Sequence, residues 1–157
     1  MEITYSLPHL YAPGTSPREN AEGLRALLDA LIVVDGYYLR HHAARPLYGA
    51  GVHYARTDLW ETIPALYANG YHGTDRPDSN FAARFGRFGD CKSLTAARVA
   101  ELRESGLAAE PVFRFATRPG GTNLFHILVR WHDGRREQWE DPSAKLGMGR
   151  DELKWFR

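Results

Sequence analysis

One stretch of the chain, residues 89–105, indicates both the fold and the candidate site, and it reads GDCKSLTAARVAELRES. Alanine, leucine, arginine and glutamate dominate this stretch after Cys91, and these residues favour a helix. Gly89 or Asp90 is suited to cap the start of that helix. The stretch therefore predicts a helix over Cys91–Ser105, with the only cysteine of the chain in its first turn.

A cysteine at the start of a helix is a candidate nucleophile. Backbone N–H groups and the helix dipole favour negative charge at that end, so a thiolate is stabilised there. Lys92 adds a positive charge beside Cys91. The alternative is that Cys91 is an inert core residue, which is the common role of a single buried cysteine.

The strands that follow the helix supply the partners that such a nucleophile needs. Three strand candidates are separated by turn residues, at Pro111–Thr117, Leu124–His132 and Arg135–Glu140. Asp133-Gly134 is a strong signal for a tight hairpin between the last two. A two-residue turn would put His126 opposite Asp141, so an imidazole and a carboxylate are expected side by side. The simpler interpretation of His126 is a hydrogen-bonded structural histidine, and that of Asp141 is a turn residue before Pro142.

Alternation along the second strand candidate leaves open which face the Cys91 helix covers. Phe125, Ile127, Val129 and Trp131 share one face, and His126 lies on the other. If the helix packs on the His126 face, we expect an N-terminal helix to cover the apolar face.

The N-terminal half predicts further helix and one short strand. Glu2–Leu7 is typical of a strand. Ser16 begins a capping box for a helix that runs to about His41. A short helix is predicted at Ile63–Asn69, and residues 71–89 form a long connection of a kind that is often functional. Helices followed by an antiparallel sheet indicate a single α+β domain over residues 1–157, with a strand and helix at 1–44 and a core at 45–148.

Composition excludes several functional classes. The 157 residues carry a net charge of +1, so no strong field toward nucleic acid or membrane is expected. No apolar run approaches the roughly 18 residues that cross a bilayer, and the start of the chain lacks the pattern of a secretory signal. With one cysteine and no such signal, we expect a cytoplasmic location.

The ordered motifs resemble the transglutaminase-like superfamily of papain-related cysteine enzymes, and most of all its small phage- and prophage-associated members. The resemblance covers roughly residues 45–148. It is carried by Trp60, Ile63-Pro64, Gly89-Asp90-Cys91, Ala100-Glu101-Leu102-Arg103, His126, and Glu140-Asp141-Pro142-Ser143-Ala144-Lys145-Leu146-Gly147-Met148. Lys92 and Ser93 stand where the family often has acidic residues, which affects substrate preference rather than the nucleophile.

The resemblance implies that Cys91 is the nucleophile, His126 the base and Asp141 the residue that orients the base. It also implies attack on a carbonyl through a thioester, on a protein or peptide substrate and without a cofactor. Members include crosslinkers, proteases, peptide N-glycanases and deamidases, so the reaction partner stays open. We favour hydrolysis over transfer, because no feature of the sequence visibly excludes water.

Acyl transfer also needs donors for an oxyanion. The backbone N–H of Cys91 is the first candidate, and Trp60 or Asn80 is the second; their simpler roles are core and turn residues. Phe85, Arg87 and Phe88 are candidates for a loop that contacts the substrate, although loop aromatics that pack back onto the domain are the default.

Two other kinds of site find less support in the sequence. Adjacent His41 and His42 point to different sides of a helix, His126 and His132 are six residues apart, and no second cysteine exists, so no metal site is expected. The aromatic and basic loop could bind single-stranded nucleic acid, but nearby aspartates balance its arginines. The main rival to an enzyme is a binding or virion-structural module on the same fold with an idle triad.

Overall fold

The computed structural model describes residues 16–57, 59–67, 87–121 and 123–156. The predicted strand Glu2–Leu7 and most of the connection 71–89 lie outside these residues. The helices are Pro17–His41 (α1), Ile63–Leu66 (α2), Cys91–Glu104 (α3), Pro142–Lys145 (α4) and Arg150–Leu153 (α5), with 3₁₀ turns at Leu47–Gly49 and Lys154–Phe156. The strands are His53–Tyr54 (β1), Phe88–Gly89 (β2), Ala108–Thr117 (β3), Asn123–His132 (β4) and Glu137–Glu140 (β5). This mixture of helix and mainly antiparallel sheet agrees with the expected α+β class.

Helix α1 begins and ends where its sequence predicts. The Ser16 side chain accepts from the backbone of Glu19, and the Glu19 carboxylate accepts from the backbone of Ser16 at 2.8 Å, which completes the capping box. Helix α2 has the predicted start, and it ends at Leu66 rather than running on to the predicted Asn69. In the part of the chain that the structure describes, no helix combines the length and apolar character needed to cross a membrane.

Helix α3 lies at the centre of the molecule. One hydrophobic cluster joins it to α1 and the sheet, and includes Leu28, Ile32, Val99, Ile127 and Val129. A second cluster joins its other side to α2 and the 3₁₀ turn before β1, and includes Leu47, Val52, Ile63, Leu66 and Leu94. Because apolar neighbours surround α3, packing on both sides fixes the position of its first turn.

The three-stranded sheet has the order β3-β4-β5, and both pairings are antiparallel. The loop between β4 and β5 has four residues rather than two, since Asp133 to Arg136 separate the strands. The Asp133 side chain accepts from the backbone N–H groups of Arg135 and Arg136, which stabilises the longer turn.

The longer turn corrects the predicted register. Glu140 pairs with Val129, whereas a two-residue turn would pair it with Ile127. The shift is two residues, and side chains alternate with a period of two, so His126 and Asp141 keep a common face. They are diagonal neighbours beyond the end of the ladder rather than directly opposite each other.

The Cys91 helix does not pack on the His126 face of the sheet, which is one of the two arrangements that the sequence left open. Helices α1 and α3 both pack against the apolar face that carries Ile127 and Val129. His126 points to the opposite face, where the ring of Phe156 lies 5.2 Å from the imidazole centroid. The C-terminal 3₁₀ turn therefore contacts the histidine side.

Candidate active site

Cys91 is the first residue of α3, as the sequence predicts. Asp90 is the N-cap, and its side chain accepts from the backbone N–H of Lys92 at 3.1 Å. The first N–H groups of a helix have no partner within the helix. Among the described residues, no backbone acceptor takes the N–H of Cys91.

The end of β5 explains how Cys91 reaches the histidine strand. Because β5 pairs with β4 only from Val129 onward, the edge of β4 is free at Ile127. Thr95 Oγ1 donates to the carbonyl of Ile127 at 3.2 Å, and the Ile127 backbone N–H hydrogen-bonds to the sulfur of Cys91. Cys91 and Thr95 are four residues apart on one side of α3. The helix start thus lies along the strand edge beside the peptide that joins His126 to Ile127.

Asp90 and Lys92 form a buried ion pair on either side of the cysteine. The Lys92 ammonium also donates to the carbonyl of Thr57 at 2.8 Å and lies 5.7 Å from the centroid of the Trp60 ring. Because its charge is paired with Asp90, Lys92 acts on the thiol less than an isolated cation would.

The surroundings of the thiol oppose its ionisation, contrary to the expectation of a stabilised thiolate. Cys91 is 8% exposed. Burial raises the pKa of the Cys91 thiol above its ordinary value, and the charges of Asp90 and Asp141 raise it further. The charge of Lys92 and the hydrogen bond from Ile127 lower this pKa, but they do not offset the burial.

His126 and Asp141 lie together as the strand pattern predicts. His126 Nε2 is 2.8 Å from Asp141 Oδ2. The imidazole is 2% exposed. With Nε2 occupied by the carboxylate, Nδ1 is the ring nitrogen left to exchange a proton with another group.

Asp141 is fixed by the helix that it caps. Its Oδ1 accepts from the backbone N–H of Ala144 at 3.0 Å, while Oδ2 faces His126. Pro142 occupies the first turn of α4, where its lack of an N–H costs nothing. One carboxylate therefore both begins a helix and orients a histidine.

Cys91 and His126 line one cavity of about 340 Å³. No hydrogen bond joins the Cys91 sulfur to the His126 ring, although both residues are among those described. The structure therefore brings His126 and Asp141 into contact and puts Cys91 on the same cavity wall. The lining residues are Tyr54, Arg56, Thr57, Asp90, Cys91, Lys92, Arg118, Leu124, Phe125, His126, Met148, Glu152 and Phe156.

The other predicted site residues lie elsewhere or outside the description. Trp60 packs against the cluster around α1 and α3 and against Lys92, and it does not line the cavity. The Arg87 guanidinium donates to the carbonyl of Ala50 at 2.9 Å, and Phe88 is buried in β2. Asn80 and Phe85 are outside the described residues.

Sequence reasoning missed several residues of the cavity wall, among them Tyr54, Arg118, Glu152 and Phe156. Tyr54 donates from its hydroxyl to Glu152 Oε2 at 3.0 Å, and burial raises the pKa of this tyrosine above its ordinary range. Arg118 follows β3, and Phe156 lies in the C-terminal turn. None of them belongs to a short motif, because each is brought to the site by tertiary packing.

Within the described ranges, no group of three or more His, Cys, Asp or Glu side chains is arranged to hold a metal ion. A scan against protein-family models and searches of curated proteins and of solved structures found no match.

Proposed function

We propose that this chain is a cysteine-dependent enzyme of transglutaminase-like type that acts on amide bonds of a protein or peptide. The observation that carries the proposal is the 2.8 Å contact between His126 Nε2 and Asp141, at a cavity that Cys91 also lines. The helix that begins at Cys91 and packs on an antiparallel sheet fits the nucleophile helix of such a fold.

The reaction begins with transfer of the Cys91 proton to Nδ1 of His126. The thiolate attacks the carbonyl carbon of the amide, and a C–S bond forms. The C–N bond then breaks as the imidazolium returns a proton to the leaving amine, which gives a thioester. Water, activated by the same imidazole, adds to the thioester and releases the acid and the free thiol.

Because the pKa of the Cys91 thiol is raised, the proposed reaction needs His126 as the base. A buried thiol beside Asp90 does not ionise by itself near neutral pH, because both burial and the carboxylate oppose the negative charge. His126 must remove the proton before the sulfur can attack, and Asp141 stabilises the imidazolium that results. The enzyme then works by general-base catalysis rather than from a resting thiolate.

The Cys91 backbone N–H is the proposed oxyanion donor. It lies at the start of α3, where the helix dipole also favours negative charge. Asn80 stays a candidate for the second donor, whereas Trp60 does not line the cavity.

Hydrolysis is the favoured outcome of the thioester. Charged side chains on the cavity wall, among them Arg56, Arg118 and Glu152, favour access of water to the site. The single cysteine supports a further proposal, that the chain acts in the cytoplasm. That it is encoded by a phage or prophage is proposed from the sequence resemblance alone.

A second candidate function is a binding or virion-structural module with an idle triad. The observation that favours it is the burial of Cys91, at 8% exposure, in the cluster that α3 shares with α1. In that case the thiol is a core group, and it reacts only when the pH approaches its raised pKa.

Alkylation of Cys91 by iodoacetamide, followed by mass spectrometry across pH 5 to pH 10, tests the two candidates. If His126 is the base, the wild-type thiol reacts near neutral pH, and His126→Ala lowers the rate at pH 7 by about 100-fold or more. Asp141→Asn lowers it by a smaller factor, because the amide still caps α4 but does not stabilise the imidazolium.

His132→Ala is the matched control, since His132 is exposed at the end of the same strand. It is expected to leave the rate unchanged. Identical pH profiles for wild type and His126→Ala, with reaction confined to alkaline pH, would instead support the idle module.

A further inference from the structure

The charged groups around the cavity beside Cys91 differ in whether they have a partner. Each of its acidic neighbours has a partner: Asp90 pairs with Lys92, Asp141 with His126, and Glu152 accepts from Tyr54. The same is not true of the two arginines on the wall, Arg56 and Arg118. In the ranges that the structure describes, neither guanidinium forms an ion pair with a carboxylate.

Arg118 is the better placed of the two arginines. The Nε of Arg118 is buried and has no hydrogen-bond partner among the described residues. Its guanidinium carbon lies 5.7 Å from the centroid of the Trp155 ring, so the side chain is supported from the C-terminal turn. A buried donor without an acceptor is costly, and it is a group that a ligand can satisfy.

The strand pattern puts Arg118 on the same side of the sheet as the proposed base. Arg114 pairs with His126 across β3 and β4, and Arg118 is four residues further along the chain. Because alternate residues share a face, Arg118 and His126 face the same side. An anion held by Arg118 would therefore lie within the cavity that also contains the reacting groups.

We propose that Arg118, assisted by Arg56, binds a carboxylate of the substrate next to the amide that Cys91 attacks. The planar guanidinium matches a carboxylate in geometry as well as charge. A cavity of about 340 Å³ is suited to one amino-acid side chain with its flanking amide. The substrate class is then a peptide amide that has a carboxylate beside it, on an acidic side chain or at a chain end. That the bound molecule is a substrate rests on the proposed function, but the binding of a carboxylate does not require catalysis.

The first test compares alkylation of Cys91 by iodoacetate, which is anionic, and by iodoacetamide, which is neutral. The ratio of the two rates is normalised to that of the unfolded chain. We expect a ratio on the order of tenfold in the wild type, a ratio near one in Arg118→Gln, and most of the preference retained in Arg118→Lys. Arg114→Gln is the matched control, because Arg114 is exposed on the same strand and packs on Trp139 outside the cavity. Equal ratios in wild type and Arg118→Gln would overturn the proposal.

The second test does not need a reactive thiol. In the Cys91→Ser protein, the Nε–H resonance of Arg118, assigned by its loss in Arg118→Gln, is followed during titration with three capped amino acids. They are N-acetylglutamate amide, which has a side-chain carboxylate, N-acetylglutamine, which has a terminal carboxylate, and the neutral N-acetylglutamine amide. A shift with the first or the second supports the proposal and identifies the source of the carboxylate. Shifts no larger than those with the neutral compound would overturn it. The proposed function instead fails on His126→Ala, so the two failures are distinguishable.

Discussion

Asp141 illustrates at the scale of one residue how folding and the candidate chemistry share a side chain. Its two oxygens point to different partners, the backbone N–H of Ala144 and the imidazole of His126. A carboxylate at an N-cap contributes about 1 kcal/mol to stability. The same hydrogen bond limits rotation of the carboxylate, so the cap holds the oxygen that faces the ring.

Asp35 is a buried carboxyl group in α1, and no role in the candidate site explains it. It is fully buried, and Oδ1 accepts from the backbone of Ile63 at 2.7 Å. Oδ2 has no partner in the part of the chain that the structure describes. Burial raises the pKa of Asp35 to about 7, the hydrogen bond from Ile63 lowers it, and the nearby charge of Glu101 raises it. The folded protein thus binds the Asp35 proton more tightly than the unfolded chain does.

Asp35→Asn is expected to stabilise the protein increasingly as pH rises. The wild type has the full contribution of Asp35 below pH 3.8 and loses it between pH 3.8 and about 7, because the folded state must then give up a proton that burial favours. This rise in pKa corresponds to roughly 4 kcal/mol. The difference in the free energy of unfolding between variant and wild type, from urea titrations, should grow by up to that amount between pH 4 and pH 8.

Asp29→Asn, on the same helix but half-exposed and paired with Arg25, serves as the control. Its effect should stay within about 0.5 kcal/mol across the same range. A difference for Asp35→Asn that does not change with pH would contradict the prediction.

At the scale of elements, the early end of β5 creates the site. β5 stops at Glu140, so the edge of β4 beyond Val129 is free for the first turn of α3. Had β5 continued, its backbone would occupy the positions that Thr95 and Cys91 take beside Ile127. Asp141 leaves the strand at the same point and turns toward His126.

Gly89 shows why a glycine precedes Asp90 and Cys91. A Cβ at this position would lie 2.5 Å from Leu66 Cδ1, and Leu66 is itself buried and cannot move freely. Gly89→Ala is expected to lower the free energy of unfolding by about 1–3 kcal/mol, which is the usual cost of overpacking. Urea unfolding measures this loss.

Gly149→Ala provides the comparison, since a Cβ there meets no atom within 4 Å and its φ is −70°. That variant should differ from wild type by no more than about 0.5 kcal/mol. If Gly89→Ala is as stable as Gly149→Ala, α2 does not pack against the start of α3 as described.

Elements with local signals could be predicted from the sequence, and contacts between elements could not. The capping box at Ser16 and the cap at Asp90 are short-range, so α1 and α3 begin where expected. The contact of His126 with Asp141 was predicted from a two-residue turn, whereas the observed turn has four residues. The two side chains still meet, because a register shift of two residues leaves both on the same face of the sheet. The expected thiolate was wrong, because the burial of Cys91 depends on packing that no local pattern reveals.

In the described part of the molecule, α3 joins two hydrophobic clusters, and the carboxylate of Glu140 links elements around them. Glu140 accepts from Arg98 of α3, from Lys145 of α4 and from Tyr48 of the 3₁₀ turn, each at 2.9 Å. Burial alone would raise the pKa of Glu140, but these three partners outweigh it, and its pKa lies below the ordinary value. Asp35 and Glu140 therefore respond to pH in opposite directions.

Glu140→Gln is expected to lower the free energy of unfolding by about 2–4 kcal/mol at pH 7, because it leaves the half-buried Arg98 without a main partner. The stability that Glu140 contributes is present above pH 4.5 and is lost as pH falls through its lower folded pKa. The difference in the free energy of unfolding between variant and wild type should therefore narrow below about pH 4.5 in urea titrations.

Glu137→Gln is the control, because Glu137 is exposed on the same strand and lies 3.7 Å from Arg130. An exposed pair of this kind contributes at most about 1 kcal/mol. A gap for Glu140→Gln that is equal at pH 3 and pH 7 would mean that the carboxylate charge does not hold the two clusters together, and that packing around α3 does so alone.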